Sequence, residues 1–466
     1  MILTPEGQPA GDLDKITLLA MWSRHLRKQE RLVITSNMGK PTFALNGHAA
    51  SLAAQHWSQL QLAVQKAHHC FRSNPDSALT RDLIVQMASA IDYGDPQGDA
   101  EARELMAKAL NRWYKQRIEV EPQHLLFTVG GAAAIHIALH VLHEQAPDAK
   151  VITPFPHYSL YATTNKSLQL HPIPVMDEPG YRLTAKALTK SLARNNHPIA
   201  AFLFCDPNNP LGTLVSPEEW QSIAAVLQHY PKVPILLDEA YAEMRLDGQA
   251  HQSLLTVAPE LYPRTILLRS ATKGLSAAGQ RMAVLITPDA ALMSKLVVKN
   301  VSIYGHAPRI EQYIFASALN SFNENDRKDL AAFYAPQVKL AQNRLKAMGA
   351  AMPDPLYQVE GTFYVLADLS ALLGLELSAE AAYVLGKSGP METDEDIAYY
   401  LLFKGLSIAP LSYFGAAPQA GFMRITCSGG DSEINALCDI LQKALLQARK
   451  MKKQSKQKGI LSSSEI

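Results

Sequence analysis

The chain has 466 residues, 47% of them apolar, with 44 basic against 43 acidic side chains and a formal charge of +1. That length and balance admit two or three packed domains and exclude fibrous, disordered and disulfide-scaffold classes. There is no global field to hold a nucleic acid or an anionic membrane.

No apolar run approaches the roughly 18 residues of a membrane span. The first 15 residues carry acids and no apolar core of an export signal, so a soluble, cytoplasmic protein is expected. Cys70, Cys205, Cys427 and Cys438 lack the paired spacing of zinc or redox centres and read as small buried residues.

Residues 1–45 mix turn formers with one amphipathic stretch in which Ile16, Leu19 and Leu26 recur at helical spacing, which reads as an arm or lid helix. From about residue 80 to 290, β-rich runs alternate with helical ones. Strands are expected at 124–129, 150–154, 199–205, 233–239 and 264–270, and helices at 99–115 and 217–229, the latter with Ser216 as N-cap and Pro217 behind it. Val233 to Leu237 is apolar without alternation, as in a strand covered on both faces. After about residue 325, helices are expected at 329–348, 378–387, 394–405 and 431–453, with strands at 363–369 and 421–427.

The pattern predicts an α/β protein: a three-layer α/β/α large domain with a mostly parallel sheet, plus a smaller α+β domain. The division expected is 1–60 for an arm and part of the small domain, 61–325 for the large domain, 326–448 for the small one, and 449–466 for a basic, Ser-rich tail. Six basic residues fall between Arg449 and Lys458 with no acid among them, which reads as a solvated helix end.

Ligands of open α/β sheets sit beyond the carboxyl ends of the strands, and those ends carry the chemistry here. Strand 124–129 runs into Gly130, Gly131 and Ala132, a helix start whose free N–H groups suit an anion. Strand 199–205 runs into DPNNPLG with Asn209, and strand 233–239 holds Asp238 and is followed by Tyr241. Strand 264–270 leads to Ser270, Lys273 and Arg281. An acid, a phenol, an amide, an amine and a guanidinium at one sheet edge suit a cofactor with a ring nitrogen, a phenolic oxygen, an aldehyde and a phosphate. Pyridoxal phosphate has all four. His136, His140 and His143 form a stripe on the following helix, but no H-E-x-x-H is completed and no metal is assigned. Trp22, Trp57, Trp113 and Trp220 read as core or interface residues.

The ordered set Tyr93 to Gly98, TVGGAAAI at 128–135, PHY at 156–158, DPNNPLG at 206–212, DEAY at 238–241, S-x-x-K-x-x-x-x-x-G-x-R at 270–281 and MRIT at 423–426 resembles the class I/II aminotransferases. These are fold type I pyridoxal-phosphate enzymes, and the likeness runs from about residue 35 to 430.

The resemblance implies roles. Lys273 would bond the cofactor covalently and then serve as base and acid, Asp238 would pair with the pyridine nitrogen, and Asn209 and Tyr241 would bond its phenolic oxygen. Tyr158 would stack on the ring. Gly131 and Ala132 at the Gly130 turn, with Ser270 and Arg281, would hold the phosphate. Tyr93 would reach the phosphate of a neighbouring subunit, which implies a homodimer. Arg424 would clamp a substrate α-carboxylate, with Asn209 beside it, and Gly39 matches an arm that closes over the substrate. Tyr304 is a further candidate for the pocket wall.

Three positions depart from the family pattern: Ala132 where Ser or Thr is frequent, Asp206 where Asn is usual, and Thr362 in place of a Gly. Asp206 reads as a turn former near the cofactor. The activity implied is transfer of an amino group between an amino acid and a 2-oxo acid. A lyase, cyclase, decarboxylase or oxidase of the same fold stays open, as does a non-enzymatic interaction module docking through the basic tail.

Overall fold

The computed structural model describes residues 2–11, 13–37, 93–165 and 167–462. Gly39, Trp57 and Cys70 lie outside them. The expected strands form as β2 (Leu125–Thr128), β3 (Lys150–Phe155), β5 (Ile199–Cys205), β6 (Ile235–Asp238) and β7 (Thr265–Ser270). Two more join them, β4 (Gln169–Pro174) and β8 (Ala283–Ile286), in the order β2-β8-β7-β6-β5-β3-β4. All neighbouring pairs are parallel except those of β8, which runs antiparallel to β2 and β7.

Alternate residues along these strands enter two different cores. Phe127, Phe202, Phe204, Ile235, Leu237 and Leu267 pack on one face. Leu126, Leu203, Leu236, Ile266 and Leu268 pack on the other, which gives the three-layer arrangement the unalternating apolar runs imply.

A second sheet, ordered β1-β10-β11-β9, is built from β1 (Ile34–Ser36), β9 (Tyr364–Asp368), β10 (Leu406–Pro410) and β11 (Phe422–Thr426). Its core includes Val365, Ile408, Met423 and Ile425, together with Ile434 and Leu437 of a C-terminal helix, Asp431–Ser462. The N-terminal helix α1 (Lys15–Lys28) starts at Asp14, whose carboxylate accepts the Thr17 N–H at 2.8 Å. Leu18, Leu19, Trp22 and Leu26 bury it in the second core. The helix expected here thus forms and packs against the second core. No helix among the described residues is long and apolar enough to cross a membrane.

The antiparallel β8 positions the chemistry. Because β7 and β8 are neighbours of opposite direction, the connection between Ser270 and Ala283 leaves and re-enters the sheet at one edge. That edge is also where β5 and β6 end in register, Cys205 opposite Asp238. Lys273 and Arg281 are thus delivered to the place where Asn209, Asp238 and Tyr241 emerge.

Candidate active site

A cavity of about 720 Å³ opens at this edge, lined by Gly131, Ala132, Tyr158, Asn209, Asp238 and Tyr241 from the large sheet's side. Ser270, Thr272, Lys273 and Arg281 line it from the β7–β8 connection, and Asn37, Tyr364 and Arg424 from the second sheet. Of the sequence-predicted residues, Tyr93 and Tyr304 stand apart. Both are exposed, Tyr93 at 90%, and neither lines this cavity.

The anion end consists of donors. Helix α2 (Gly130–Gln145) begins without a side-chain cap, so its first-turn N–H groups at Gly131 and Ala132 are left to the cavity. Gly130 has φ +79, and a Cβ there would come within 2.8 Å of Arg281 Nη2, so only glycine lets the guanidinium lie against the turn. Arg281 itself adopts the left-handed region at φ 54. Among the described residues its guanidinium donates to the Ala278 carbonyl and has no carboxylate partner. The Ser270 hydroxyl bonds Thr272 Oγ1 at 2.8 Å and accepts the Thr272 N–H at 3.2 Å.

Asp238 is buried, and burial pushes its carboxyl up to about 6. Two donors oppose that shift: the Tyr161 hydroxyl at 2.6 Å and the Ala240 N–H at 3.1 Å. Lys273 is half-buried at the cavity wall. Desolvation pushes its amine down, and the charges of Arg424 and Arg281 act in the same direction while Tyr364 opposes them.

At the second sheet, Arg424 is buried with Nη1 donating to Asn209 Oδ1 at 2.8 Å and Nη2 to the Asn37 carbonyl at 2.7 Å. Its guanidinium lies between the rings of Tyr364, at 4.2 Å, and Phe414, at 4.4 Å. Arg424 Nε and both side-chain polar atoms of Asn37 have no hydrogen-bond partner among the described residues. The Tyr241 hydroxyl is shared between Tyr364, at 2.9 Å, and Asn209 Nδ2, at 3.3 Å.

This lining fits pyridoxal phosphate. One end offers uncapped amides, a hydroxyl and a guanidinium to a phosphate. The carboxylate suits a ring nitrogen, the phenol and amide a phenolic oxygen, and the desolvated amine an aldehyde. Asn37, Tyr161 and Thr272 are lining or supporting residues that the sequence reading missed, whereas Tyr364 belongs to the 360–364 segment placed on the substrate side. In the histidine stripe, the His136 and His140 rings lie 4.2 Å apart and His140 Nε2 lies 3.2 Å from the Thr164 carbonyl.

Comparison with known proteins gives a family match. The model for aminotransferase class I and II covers residues 55–441. An aspartate aminotransferase from Pyrococcus horikoshii is 25% identical over 80% of this chain and 88% of its own length. An aspartate/prephenate aminotransferase from Cereibacter sphaeroides is 24% identical over 86% and 94%. In fold, the chain is similar to the aspartate aminotransferase of Rhizobium meliloti, with a TM-score of 0.72 at 19% identity over 94% of this chain and 98% of that one.

Proposed function

The chain belongs to the class I and II aminotransferase family and is a pyridoxal-phosphate-dependent aminotransferase; on that premise we propose that Lys273 carries the cofactor and the proton transfer, and Arg424 reads the substrate. The observation that carries the assignment is the convergence of Asp238, Lys273 and Arg424 on one cavity, with Arg424 Nε and the Asn37 amide left without partners among the described residues. Buried donors without acceptors are costly, on the order of 1–3 kcal/mol each, and a substrate carboxylate would satisfy both.

Pyridoxal phosphate, when bound, supplies an electron-withdrawing ring that makes the Cα proton of an amino acid acidic. Asp238 would hold a proton at the ring nitrogen by charge. Tyr158 would pack on the ring, Asn209 and Tyr241 would donate to the phenolic oxygen, and Gly131, Ala132, Ser270 and Arg281 would bind the phosphate. Arg424 fixes the α-carboxylate so that the Cα–H bond points at Lys273. The Lys273 amine, its basicity lowered by desolvation, would remove that proton and return it. The incoming partner is then a 2-oxo acid.

The same reading makes the functional unit a homodimer with Tyr93 reaching its neighbour. Val298, Val301, Ile303 and Tyr304 at the end of helix Ala290–Tyr304 are exposed apolar residues that a second copy would cover. It also divides the chain at about residues 61, 326 and 449, and puts the enzyme in the cytoplasm, where the buried free thiols Cys205, Cys427 and Cys438 are at home. Lys273→Ala, purified with the cofactor, should lack the visible band and lose transamination by on the order of 10⁴-fold. A coloured, active variant would sink the assignment, and a panel of amino acids scored by spectral change of the wild-type protein would name the substrate.

A further inference from the structure

Buried beside the cofactor-facing residues is an ionic network that the reaction steps above leave unused. Asp206, Glu239, Glu243, His251 and Arg269 are all at most 5% exposed. His251 Nε2 lies 3.5 Å from Asp206 and 3.7 Å from Glu239. Glu239 accepts the Tyr114 hydroxyl at 2.5 Å, and Arg269 donates to that hydroxyl at 3.3 Å and to Glu243.

Each acid of the network touches a segment that carries a site residue. Asp206 opens the loop holding Asn209, and its Oδ1 accepts the Val215 N–H at 3.0 Å, closing that loop across nine residues. The Asp206 N–H donates to the Asp238 carbonyl at 3.1 Å. Glu239 follows Asp238. Glu243 lies against Gly274, where a Cβ would come within 2.5 Å of Oε2, one residue after Lys273. Asp206 is thus a clasp on the loop, which goes beyond the turn-forming role its position in the sequence suggests.

The groups facing His251 are Asp206 after β5, Glu239 after β6 and, at longer range, Arg269 on β7. With a neutral imidazole, three buried carboxylates would face the buried Arg269 guanidinium and, acting on Asp206 from farther off, the half-buried Arg245. Burial lowers the basicity of His251, but Glu239 and Asp206 more than offset it, and the net direction is up. Burial pushes Asp206 up to about 6.

We propose that Asp206 and His251 act as one buried ion pair that positions Asn209, and through its 2.8 Å bond Arg424, for the substrate carboxylate. The pair touches neither cofactor nor substrate, so both are positioning residues, and the inference rests on the roles proposed above for Asn209 and Arg424.

Asp206→Asn separates charge from shape, because the amide oxygen can still accept the Val215 N–H while His251 loses one of its two anions. The alkaline limb of kcat/KM, and of the visible absorbance titration of the bound cofactor, should move to lower pH by about one unit. His251→Gln should raise the KM for the amino acid by about tenfold with a smaller change in kcat. The double variant should recover most of that loss.

A readout without cofactor is thermal melting against pH. A folded-state pKa raised to about 6 for Asp206 gives stability that is complete below its unfolded value and lost as pH rises through 6. His251, also raised, adds a loss of the same sign at higher pH, so melting of the cofactor-free wild type should fall across this range and Asp206→Asn should fall less steeply.

Superimposable pH profiles and melting slopes for Asp206→Asn and wild type would overturn the pair, as would a double variant that loses the sum of the singles. If His251→Gln does not fold, the Asp206→Asn profiles decide alone. A visible band retained by Lys273→Ala overturns the site assignment itself, whereas a colourless Lys273→Ala beside an unshifted Asp206→Asn overturns only the ion pair.

Discussion

Asp238 and Arg424 are the two charged anchors of one cavity, and they are left in opposite states. Both carboxylate oxygens of Asp238 are engaged, one by the Tyr161 hydroxyl and one by the Ala240 N–H. Arg424 has two nitrogens bonded and a third, Nε, with no partner among the described residues, next to an Asn37 side chain in the same condition. In the wall proposed for the cofactor, the Asp238 carboxylate is held by donors before anything binds, while the uncapped amides of Gly131 and Ala132 stay open at the phosphate end. The wall proposed for the substrate joins strands β1, β9 and β11 of the second sheet to Asn209 of the first, and among the described residues its Arg424 Nε lacks an acceptor. A carboxylate that must keep its place gains from fixed donors, while a substrate that must come and go gains most where buried donors still lack acceptors.

If that contrast is right, the largest effect short of losing Lys273 comes from Arg424→Lys. A lysine keeps the charge but cannot bond Asn209, Asn37 and a carboxylate at once, nor lie flat between Tyr364 and Phe414. We expect kcat/KM for amino acids to fall about 100-fold, mostly through KM, with the cofactor still bound. Loss of cofactor affinity in parallel would erase the distinction between the walls.

Tyr161→Phe tests the other wall, with an expected loss of about tenfold in kcat. Burial pushes the Asp238 carboxyl up to about 6 even with the phenol's hydrogen bond holding it down. Without that hydroxyl the carboxyl protonates at higher pH, so the acid limb of the activity profile should move up. The KM for the amino acid should hold steady. An effect confined to KM would mean that Tyr161 serves the substrate side.

The same contrast decides what the sequence discloses. Asp238 and Lys273 are legible because polar residues at or just past the end of a buried strand are a local pattern, and Arg281 because it shares the short connection to β8. Strand β4 is hidden by Pro172 and Pro174, which the structure tolerates because β4 is an edge strand. Asn37 gains its place from Arg424, 387 residues away, and Tyr161 looks like any buried aromatic until its hydroxyl partner is seen. Asp206 reads as a turn former because its partners, Val215 and His251, are brought to it only by the closed loop. Thr362, in place of the family's Gly, keeps the glycine-like backbone at φ 65. That strain, of order 1–3 kcal/mol, is partly offset by the Tyr364 N–H bond to its hydroxyl at 3.1 Å.

Tyr364 is where the walls meet, and loss of its hydroxyl carries the smallest expected effect. The ring lies 4.2 Å from the Arg424 guanidinium, and the hydroxyl bonds Tyr241 at 2.9 Å, which in turn reaches Asn209 at 3.3 Å. Tyr364→Phe keeps the ring and removes the hydroxyl, so kcat/KM should fall only about threefold, a single neutral hydrogen bond. Tyr364→Leu also removes the aromatic face and should cost about tenfold, expressed in KM, because the cation loses its stacking partner. If Phe costs as much as Leu, the hydroxyl chain from Tyr364 through Tyr241 to Asn209 holds Arg424 in place. The substrate's wall would then be fixed by the phenol that also serves the cofactor, and carboxylate binding should shift the visible absorbance in wild type but not in Tyr364→Phe.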